Sequence, residues 1–450
     1  MKQISFSFFL LTLLLLSGLS QKAQAVPAFA RQAGLECMMC HVQNQTKLNR
    51  FGREFARSAY TMSAEYGSQS LIDGEEIGLG IPMVLNVSLM LKARYDKSDG
   101  SVNGKGNVLE TDEGEPTESN RGMYEVFKAS TVNFAGRVAN NVGTLIEFRE
   151  KEGKAILGGK VATAFETAQG YTGLAVYSTN NYGPFSGIES YNTGLYKPLR
   201  QFENHKLTNA AQASDLGSGP ATGLQLYYGG ERLFITLGAY VPVHNSDGID
   251  IGRNMIPFAR LAYEQPIGDL TLIVGAYGIN GTAKASNTTL YPALSGLIPQ
   301  ELVGIKKESY GFDLQLEGTL LEIDTLVTMN AVLKNKTTLS DPALMVDDPN
   351  NPVVIGEPED ADMEAYSIDL SLYPWPSFGV KLAYMTVDDS GPHIFETDKI
   401  DVKDKEALSL GFDYSFHQNI MFTMEYSMVN AKKDTVEDYT DLLSVLTISF

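Results

Sequence analysis

From residue 82 onward, apolar and polar positions alternate with a period of two. Between residues 406 and 416, Leu408, Leu410, Phe412, Tyr414 and Phe416 alternate with Ser409, Gly411, Asp413 and Ser415. Tyr310, Phe312, Leu314 and Leu316 alternate in the same way with Gly311, Asp313, Gln315 and Glu317, and Ile420, Phe422, Met424, Tyr426 and Met428 with Met421, Thr423, Glu425 and Ser427. Comparable stretches lie at 85–95, 142–149, 224–228, 366–373 and 378–386. Successive side chains of a strand point to opposite faces, so each stretch predicts a strand with one apolar and one polar face. A soluble sandwich also alternates, yet it rarely sets Asp, Glu, Lys and Arg so steadily opposite the apolar face. Repeated alternating segments of about 10 residues are the mark of a transmembrane β-barrel.

The connections support the same architecture. Short joints at 137–141, 229–231, 265–269, 318, 374–376 and 417–419 alternate with long ones at 97–121, 180–221, 242–255, 280–307, 334–361 and 387–403. Outer-membrane barrels join strands by short periplasmic turns and longer extracellular loops. The long joints hold most of the Asp, Asn, Gly and Pro clusters, such as Asp347-Asp348-Pro349-Asn350-Asn351-Pro352, and are expected to be solvent-exposed. Residues 81–450 are therefore expected to form a mainly β fold, a transmembrane antiparallel β-barrel of about 16 strands, a size whose lumen admits water. Both of its ends then fall on the periplasmic side. The closing run Leu446-Thr447-Ile448-Ser449-Phe450 resembles the terminal signal for outer-membrane barrel assembly.

The first 80 residues follow other patterns. Lys2, the apolar run 6–16 and Ala23-Gln24-Ala25 read as a signal peptide over 1–25, too short in its apolar part to span a membrane as a helix. Residues 26–80 are expected to form a small α-helical module. Within it, Leu48, Phe51, Phe55 and Ala59 recur at helical spacing, which predicts a helix over 46–60. Lys47, Arg50, Arg53 and Arg57 occupy its other faces, where they are expected to be solvated or to pair with anionic groups of a bound cofactor.

Composition changes the picture in two ways. The 450 residues include 42 Gly, 22 Tyr and 21 Phe, which suits strands joined by turns, and 35 Lys and Arg against 54 Asp and Glu leave a net charge of -19. That balance excludes nucleic acid as a partner and favours cations. The two cysteines both fall in Cys37-Met38-Met39-Cys40-His41. C-x-x-C-H is the attachment sequence of c-type haem: each thiol adds to one porphyrin vinyl group, and the histidine faces the iron as proximal axial ligand. One covalent haem c is thus expected on Cys37, Cys40 and His41, with the 26–80 module acting as a plug. Three rival readings stand beside it: a zinc site, for which the next histidine is as distant as His205; a thioredoxin-like redox pair, which wants a βαβ setting; and a disulfide, which leaves His41 unexplained.

The second axial position is open to Met or His. His205, His244, His393 and His417 all fall in predicted loops or turns, and Met62 is the nearest methionine after the motif, equally readable as a packing residue. On the polar strand faces, Glu147, Glu264, Asp313, Glu317, Asp369, Asp413 and Glu425 could focus a cationic donor, although Lys92, Arg94, Arg149, Arg260 and Lys381 share those faces. The acidic runs Asp347-Asp348 and 357–362 offer oxygen ligands to hard cations, or only solvated loop charge.

Val26-Pro27-Ala28-Phe29-Ala30-Arg31-Gln32-Ala33-Gly34, the motif Cys37 to His41, then Leu48, Phe51-Gly52-Arg53 and Phe55 together resemble the N-terminal motif of the outer-membrane cytochrome-porin fusions, a family that includes extracellular ferrous-iron oxidases. The likeness covers about a tenth of the chain. Ala33 stands where Thr is usual, and Ala56-Arg57-Ser58-Ala59-Tyr60 replaces a Lys-Leu-x-Gly-Tyr-like ending. The resemblance implies an Fe(II):cytochrome c oxidoreductase in the outer membrane, taking electrons from extracellular Fe(II) or another donor and passing them to a periplasmic cytochrome c. The alternatives are a channel whose haem segment is a structural or sensing plug, and a reductase that sends electrons outward to metal or mineral.

Overall fold

The computed structural model describes residues 27–42, 46–62, 71–72, 81–82, 86–99, 122–151, 154–244, 254–286, 302–340, 345–346, 353–354, 361–389, 404–432 and 438–450. The predicted signal peptide, Asp347-Asp348, residues 357–360 of the second acidic run and His393 lie outside the described residues; residues 361 and 362 of that run open a described strand. Most of the described chain is one closed antiparallel barrel. Its strands are β1 (Val87–Asp99), β2 (Gly122–Val126 with Thr131–Ala139), β3 (Val142–Lys151), β4 (Lys154–Thr167), β5 (Gly170–Thr179), β6 (Ala221–Gly230), β7 (Leu233–Val241) and β8 (Ile256–Ile267), followed by β9 (Leu270–Ser286), β10 (Leu302–Leu320), β11 (Ile323–Ser340), β12 (Ala361–Trp375), β13 (Phe378–Asp389), β14 (Lys405–His417), β15 (Ile420–Ala431) and β16 (Tyr439–Ser449). The two pieces of β2 pair with successive parts of β1, so they form one interrupted strand and the barrel has 16. Closure runs through β16 on β1, from Thr440 against Asp99 to Ser449 against Met90, and Phe450 extends it by exchanging backbone bonds with Leu89.

Side-chain alternation takes the predicted hand. Phe312 and Leu237 are more than half exposed on the outer wall, whereas Asp313, Gln315 and Glu317 are buried inside. Leu408, Leu410, Tyr426 and Met428 likewise face outward, opposite buried Ser409, Asp413, Glu425 and Ser427. Apolar outside and polar inside is the reverse of a water-soluble protein, and a closed barrel leaves no unpaired edge in lipid. The chain is accordingly an outer-membrane β-barrel.

All seven connections at one end, from that between β2 and β3 to that between β14 and β15, are two-residue turns, which identifies this end as the periplasmic one. Some strands run farther than alternation alone indicated: β9 and β10 stay paired from Gly281 against Lys307 to Ser286 against Leu302, inside the span 280–307 expected as loop, and β11 continues to Ser340. The joint between β3 and β4 on the opposite side is also short.

The largest departure concerns residues 180–220. Expected as an exposed loop, this segment turns back into the lumen, with short helical turns at Pro184–Ser186 and His205–Leu207 and one turn of α-helix at Ala210–Ala213. Phe185, Ile188, Tyr191, Leu195, Phe202 and Leu216 are buried there. The reason lies in composition: these large apolar side chains have no place in a solvated loop, and the lumen is where they escape water.

A second filling enters from the periplasmic end. It comprises α1 (Pro27–Ala33), a short helical turn at Cys37–Met39 and α2 (Arg50–Arg57). The helix expected over 46–60 is thus shorter. Residues 46–48 are taken into an extended bridge in which Leu48 pairs with His41, Asn49 caps α2, and Ala59 and Tyr60 adopt positive φ.

Candidate functional site

The C-x-x-C-H motif is shaped by its own backbone. The amides of Cys40 and His41 both donate to the Cys37 carbonyl, at 3.1 and 2.9 Å, closing a tight turn. Asn49 ties this turn to α2: its Oδ1 accepts from the Gly52 amide at 3.0 Å while its Nδ2 donates to the carbonyls of Met38 and Met39, each at 3.1 Å. One side chain therefore caps the helix and holds the motif. Gly52 permits the contact, since a Cβ there would lie 2.0 Å from the Cys40 carbonyl oxygen. Cys37 and Cys40 form no disulfide. Burial pushes the Cys40 thiol up to about 11, the opposite of the lowered value of a thioredoxin-like redox pair.

The N-terminal segment is bound to the barrel by charge. Arg53, 1% exposed, makes two bonds to Glu317 at 2.8 and 2.6 Å and one to Glu264 at 3.1 Å. Arg57 reaches Glu264 at 2.7 Å and the Tyr191 hydroxyl at 2.7 Å, and Lys47 donates to the Tyr373 hydroxyl at 2.6 Å with Asp413 at 3.6 Å. Burial alone lowers the Arg53 guanidinium, but Glu317 and Glu264 outweigh it and raise its pKa. These arginines and this lysine are therefore neither solvated nor aimed at a cofactor, as the helical periodicity had suggested; only Arg50 lies on the exposed face, beside Glu54. At the other side of the lumen the Gln32 Nε2 donates to the Tyr60 carbonyl at 2.8 Å and its Oε1 accepts from the Arg137 amide at 2.7 Å. Bonds to β2, β6, β8, β10, β12 and β14 carry the segment across the whole periplasmic end of the lumen.

The same bonds revise the reading of the acidic lumen residues. Glu264, Glu317 and Asp413 are taken by the N-terminal segment; Asp313 is held by Arg260 at 2.9 Å, Glu425 by Lys381 at 2.9 Å, and Glu147 by Arg149 at 2.9 Å. Asp369 is buried and accepts from the Thr328 hydroxyl at 3.1 Å. A lumen carboxylate whose charge is already matched attracts a passing cation weakly, so the six carboxylates paired with Arg or Lys hold the structure together rather than guide ions.

Between the two fillings and the wall formed by β1 to β5 lies a cavity of about 1040 Å³. Cys37, Cys40 and His41 line its lower part together with Phe29, Phe55 and Tyr60, and Lys197, Arg200, Glu203 and His205 line it near the extracellular end of β5. Phe29 stacks on Tyr60 at 4.7 Å and meets Phe55 edge-on at 5.3 Å, giving an apolar floor. Glu203 is pulled well below the usual carboxylate range: burial opposes this, but Arg200 and Lys92 bond to it and prevail.

Among the histidines in the described residues, His41 and His205 line the cavity, whereas His244 and His417 do not. The His205 Nδ1 lies 3.0 Å from the Glu203 carbonyl oxygen, which can only accept, so Nδ1 carries the proton and Nε2 keeps its lone pair. Burial, reinforced by Lys197 and Arg200, holds this imidazole well below its usual range and hence neutral. Met62 packs beside Phe55, Ala56 and Tyr60 and is not among the lining residues; Met90 of β1, which sequence reasoning did not single out, is. Asn49 also went unnoticed, although an Asn three residues before a Gly at a helix start is a readable cap.

No protein-family model and no curated protein matches the chain. Solved structures with a similar fold include OmpT, an outer membrane protein of Vibrio cholerae, 12% identical over 81% of this chain and 97% of that one with a TM-score of 0.42. The outer membrane channel DcaP of Acinetobacter baumannii is 11% identical over 81% and 96% with a TM-score of 0.45, and an anion-selective porin from Comamonas acidovorans is 11% identical over 81% and 99% with a TM-score of 0.41.

Proposed function

We propose that the chain is an outer-membrane electron-transfer protein in which one haem c, held by Cys37, Cys40 and His41, lies in the barrel lumen between an extracellular donor, Fe(II), and a periplasmic cytochrome c. The observation that carries this reading is the position of the C-x-x-C-H motif on a lumen cavity whose walls continue to the extracellular end of β5. The residues present fit the group. The cavity, at about 1040 Å³, lies at the upper end of the range of roughly 300–1,000 Å³ typical of small-molecule and cofactor sites. Two thiols not bonded to each other stand at its wall beside His41, above an apolar floor and below basic side chains.

Haem bound there supplies a one-electron iron couple. The protein's part is to place it. An apolar band is about 25 Å tall, so a redox group beneath the barrel would be out of reach of a donor outside, whereas one inside the lumen shortens both transfers. The Cys37 carbonyl and Asn49 fix the motif turn, Phe29, Phe55 and Tyr60 exclude water from the periplasmic side, and the ion pairs of Arg53, Arg57 and Lys47 keep the segment seated. No acid-base pair is required, because no bond to carbon changes.

The barrel itself favours a second reading, a channel whose N-terminal segment is a structural or sensing plug. Reconstitution separates the two: the relay predicts covalent haem absorbance that Fe(II) reduces, with little ion conductance through planar bilayers, and the channel predicts open-pore conductance whatever the state of any haem. Outward reduction of metal would use the same parts, since direction depends on the haem potential relative to its partners.

A further inference from the structure

The cavity wall carries two ammonium groups that no carboxylate contacts among the described residues. Its other cations are matched: Lys92 and Arg200 with Glu203 at 2.8 Å, Arg149 with Glu147 at 2.9 Å, Arg94 with Asp96, and Lys128 with Glu125. Lys160, on the inward face of β4 and 5% exposed, donates instead to the Ser186 carbonyl at 3.0 Å. Its ammonium lies 4.5 Å from the centre of the Tyr196 ring and 5.7 Å from that of Tyr60. Glu189, on the neighbouring segment, is held by Arg260 at 3.2 Å. Lys197, next in sequence to Tyr196, donates to the Asn181 Oδ1 at 2.9 Å. Asp215, the carboxylate acting on it, pairs with Lys206 at 3.4 Å.

A buried ammonium without a counter-ion is unfavourable, and the usual resolutions are a partner or loss of the proton. Burial, together with Arg200, Arg149 and Lys206, brings Lys197 down to about 7, so this group is poised between the two. Both side chains line the cavity that also holds Cys37, Cys40 and His41, and Tyr196 links them on one side of it. We propose that Lys160 and Lys197 are the carboxylate-receiving groups of this cavity, and that they take the two propionates of the haem. This rests on the haem reading above and adds to it which residues receive the acid groups of the ring.

The test uses full-length protein purified from the outer membrane, with Lys160→Met, Lys197→Met and the double substitution. Heat-modifiable migration on gels checks barrel folding, and Gln replaces Met in any variant that loses it. Covalent haem per chain and the midpoint potential are then measured by spectroelectrochemical titration. A cation beside the ring favours the reduced, less positive state, so each single variant is expected to lower the midpoint and the double variant to lower it most, with haem content unchanged because attachment is through the cysteines. Lys160→Arg and Lys197→Arg are expected to restore the wild-type value. Fully haem-loaded double variants with the wild-type midpoint would overturn the proposal. A wild-type protein without haem overturns it together with the reading it rests on, and that failure is recognised because it appears before any substitution.

Discussion

Residues 180–220 and the N-terminal segment, described over 27–42 and 46–62, both occupy the lumen, yet apolar packing and charge hold them in different proportions. The inward segment is covalently continuous with β5 and β6 at its two ends and is seated chiefly by apolar packing, with Phe185 and Leu216 in one cluster with Phe258 and Tyr277, and by neutral bonds such as the Asn192 amide to Gln315 at 2.7 Å and the Ile188 amide to Gln225 at 3.0 Å; the ion pairs of Glu189 with Arg260 and Glu203 with Lys92 add to these. The N-terminal segment enters from one end and is bolted by buried ion pairs to Glu264, Glu317 and Asp413. The two meet at Asn192, whose side chain bonds the amide and the carbonyl of Leu48 at 2.8 and 2.9 Å. A tethered piece can rely mainly on a complementary surface, because chain connectivity already confines it. A piece that enters from one end gains from directional pairs that admit a single seating, which is what the proposed haem would require of its carrier.

The largest expected effect breaks the comparison at its covalent point. Cys37→Ala should abolish covalent haem staining while leaving a heat-modifiable barrel with residues 180–220 still protected from protease; loss of the barrel as well would contradict the division into wall and filling. Next is Arg53→Met, which leaves the buried Glu317 carboxylate with only the neutral Gln315 amide at 2.6 Å and takes one of two arginines from Glu264. Breaking a buried pair from one side costs roughly 3–5 kcal/mol, so the N-terminal segment should become protease-sensitive while the inward segment does not. Adding Glu317→Gln should recover part of the protection, and an unchanged digestion pattern for Arg53→Met would remove the bolt from the account.

Asn49→Ala is a smaller perturbation. It removes one helix cap and the tie to Met38 and Met39, at a cost of about 1 kcal/mol, and should loosen the motif without releasing the segment. Amide exchange of residues 38–52 measures this, and equal exchange in wild type and variant would contradict it. The smallest effect concerns acid. The Glu203 carboxylate is held well below its ordinary value of 4.5 by Arg200 and Lys92 against the opposing effect of burial, so its contribution is fully present above that value and is lost only as pH falls through the lower folded one. Proteolysis followed from pH 7 to pH 4.5 should show no weakening of the inward segment; release already near pH 5 would refute it.

The wall was legible because a two-sided strand in lipid writes its environment at every second residue. Asp313, Gln315 and Glu317 against Phe312 and Leu314 could be assigned to lumen and lipid from order alone. The fillings were not, for two physical reasons. Residues 180–220 pack irregular backbone, so Phe185, Ile188 and Tyr191 have no periodicity to betray them, only an excess of large apolar side chains for a loop. The basic side chains of α2 do have a helical period, but period tells which face they share and not what lies opposite; the pairing of Arg53 with Glu317 joins residues 264 positions apart. Of the candidate site, the Cys37-to-His41 motif was readable as local chemistry, whereas the approach of Lys160, Lys197, Met90 and His205 to one cavity depends on barrel closure and on the return of the inward segment.

The central claim is that a redox group in this lumen exchanges electrons with a donor outside the cell. The most direct measurement is the visible spectrum of the purified, detergent-solubilised protein, oxidised, then after addition of Fe(II) under anaerobic conditions. The account predicts one covalent c-type haem per chain whose bands sharpen to the reduced form on Fe(II) addition, and whose absorbance is absent in Cys37→Ala. A wild-type barrel with no haem band, or one whose haem stays oxidised with Fe(II) at every pH tried while the protein conducts ions, would contradict it.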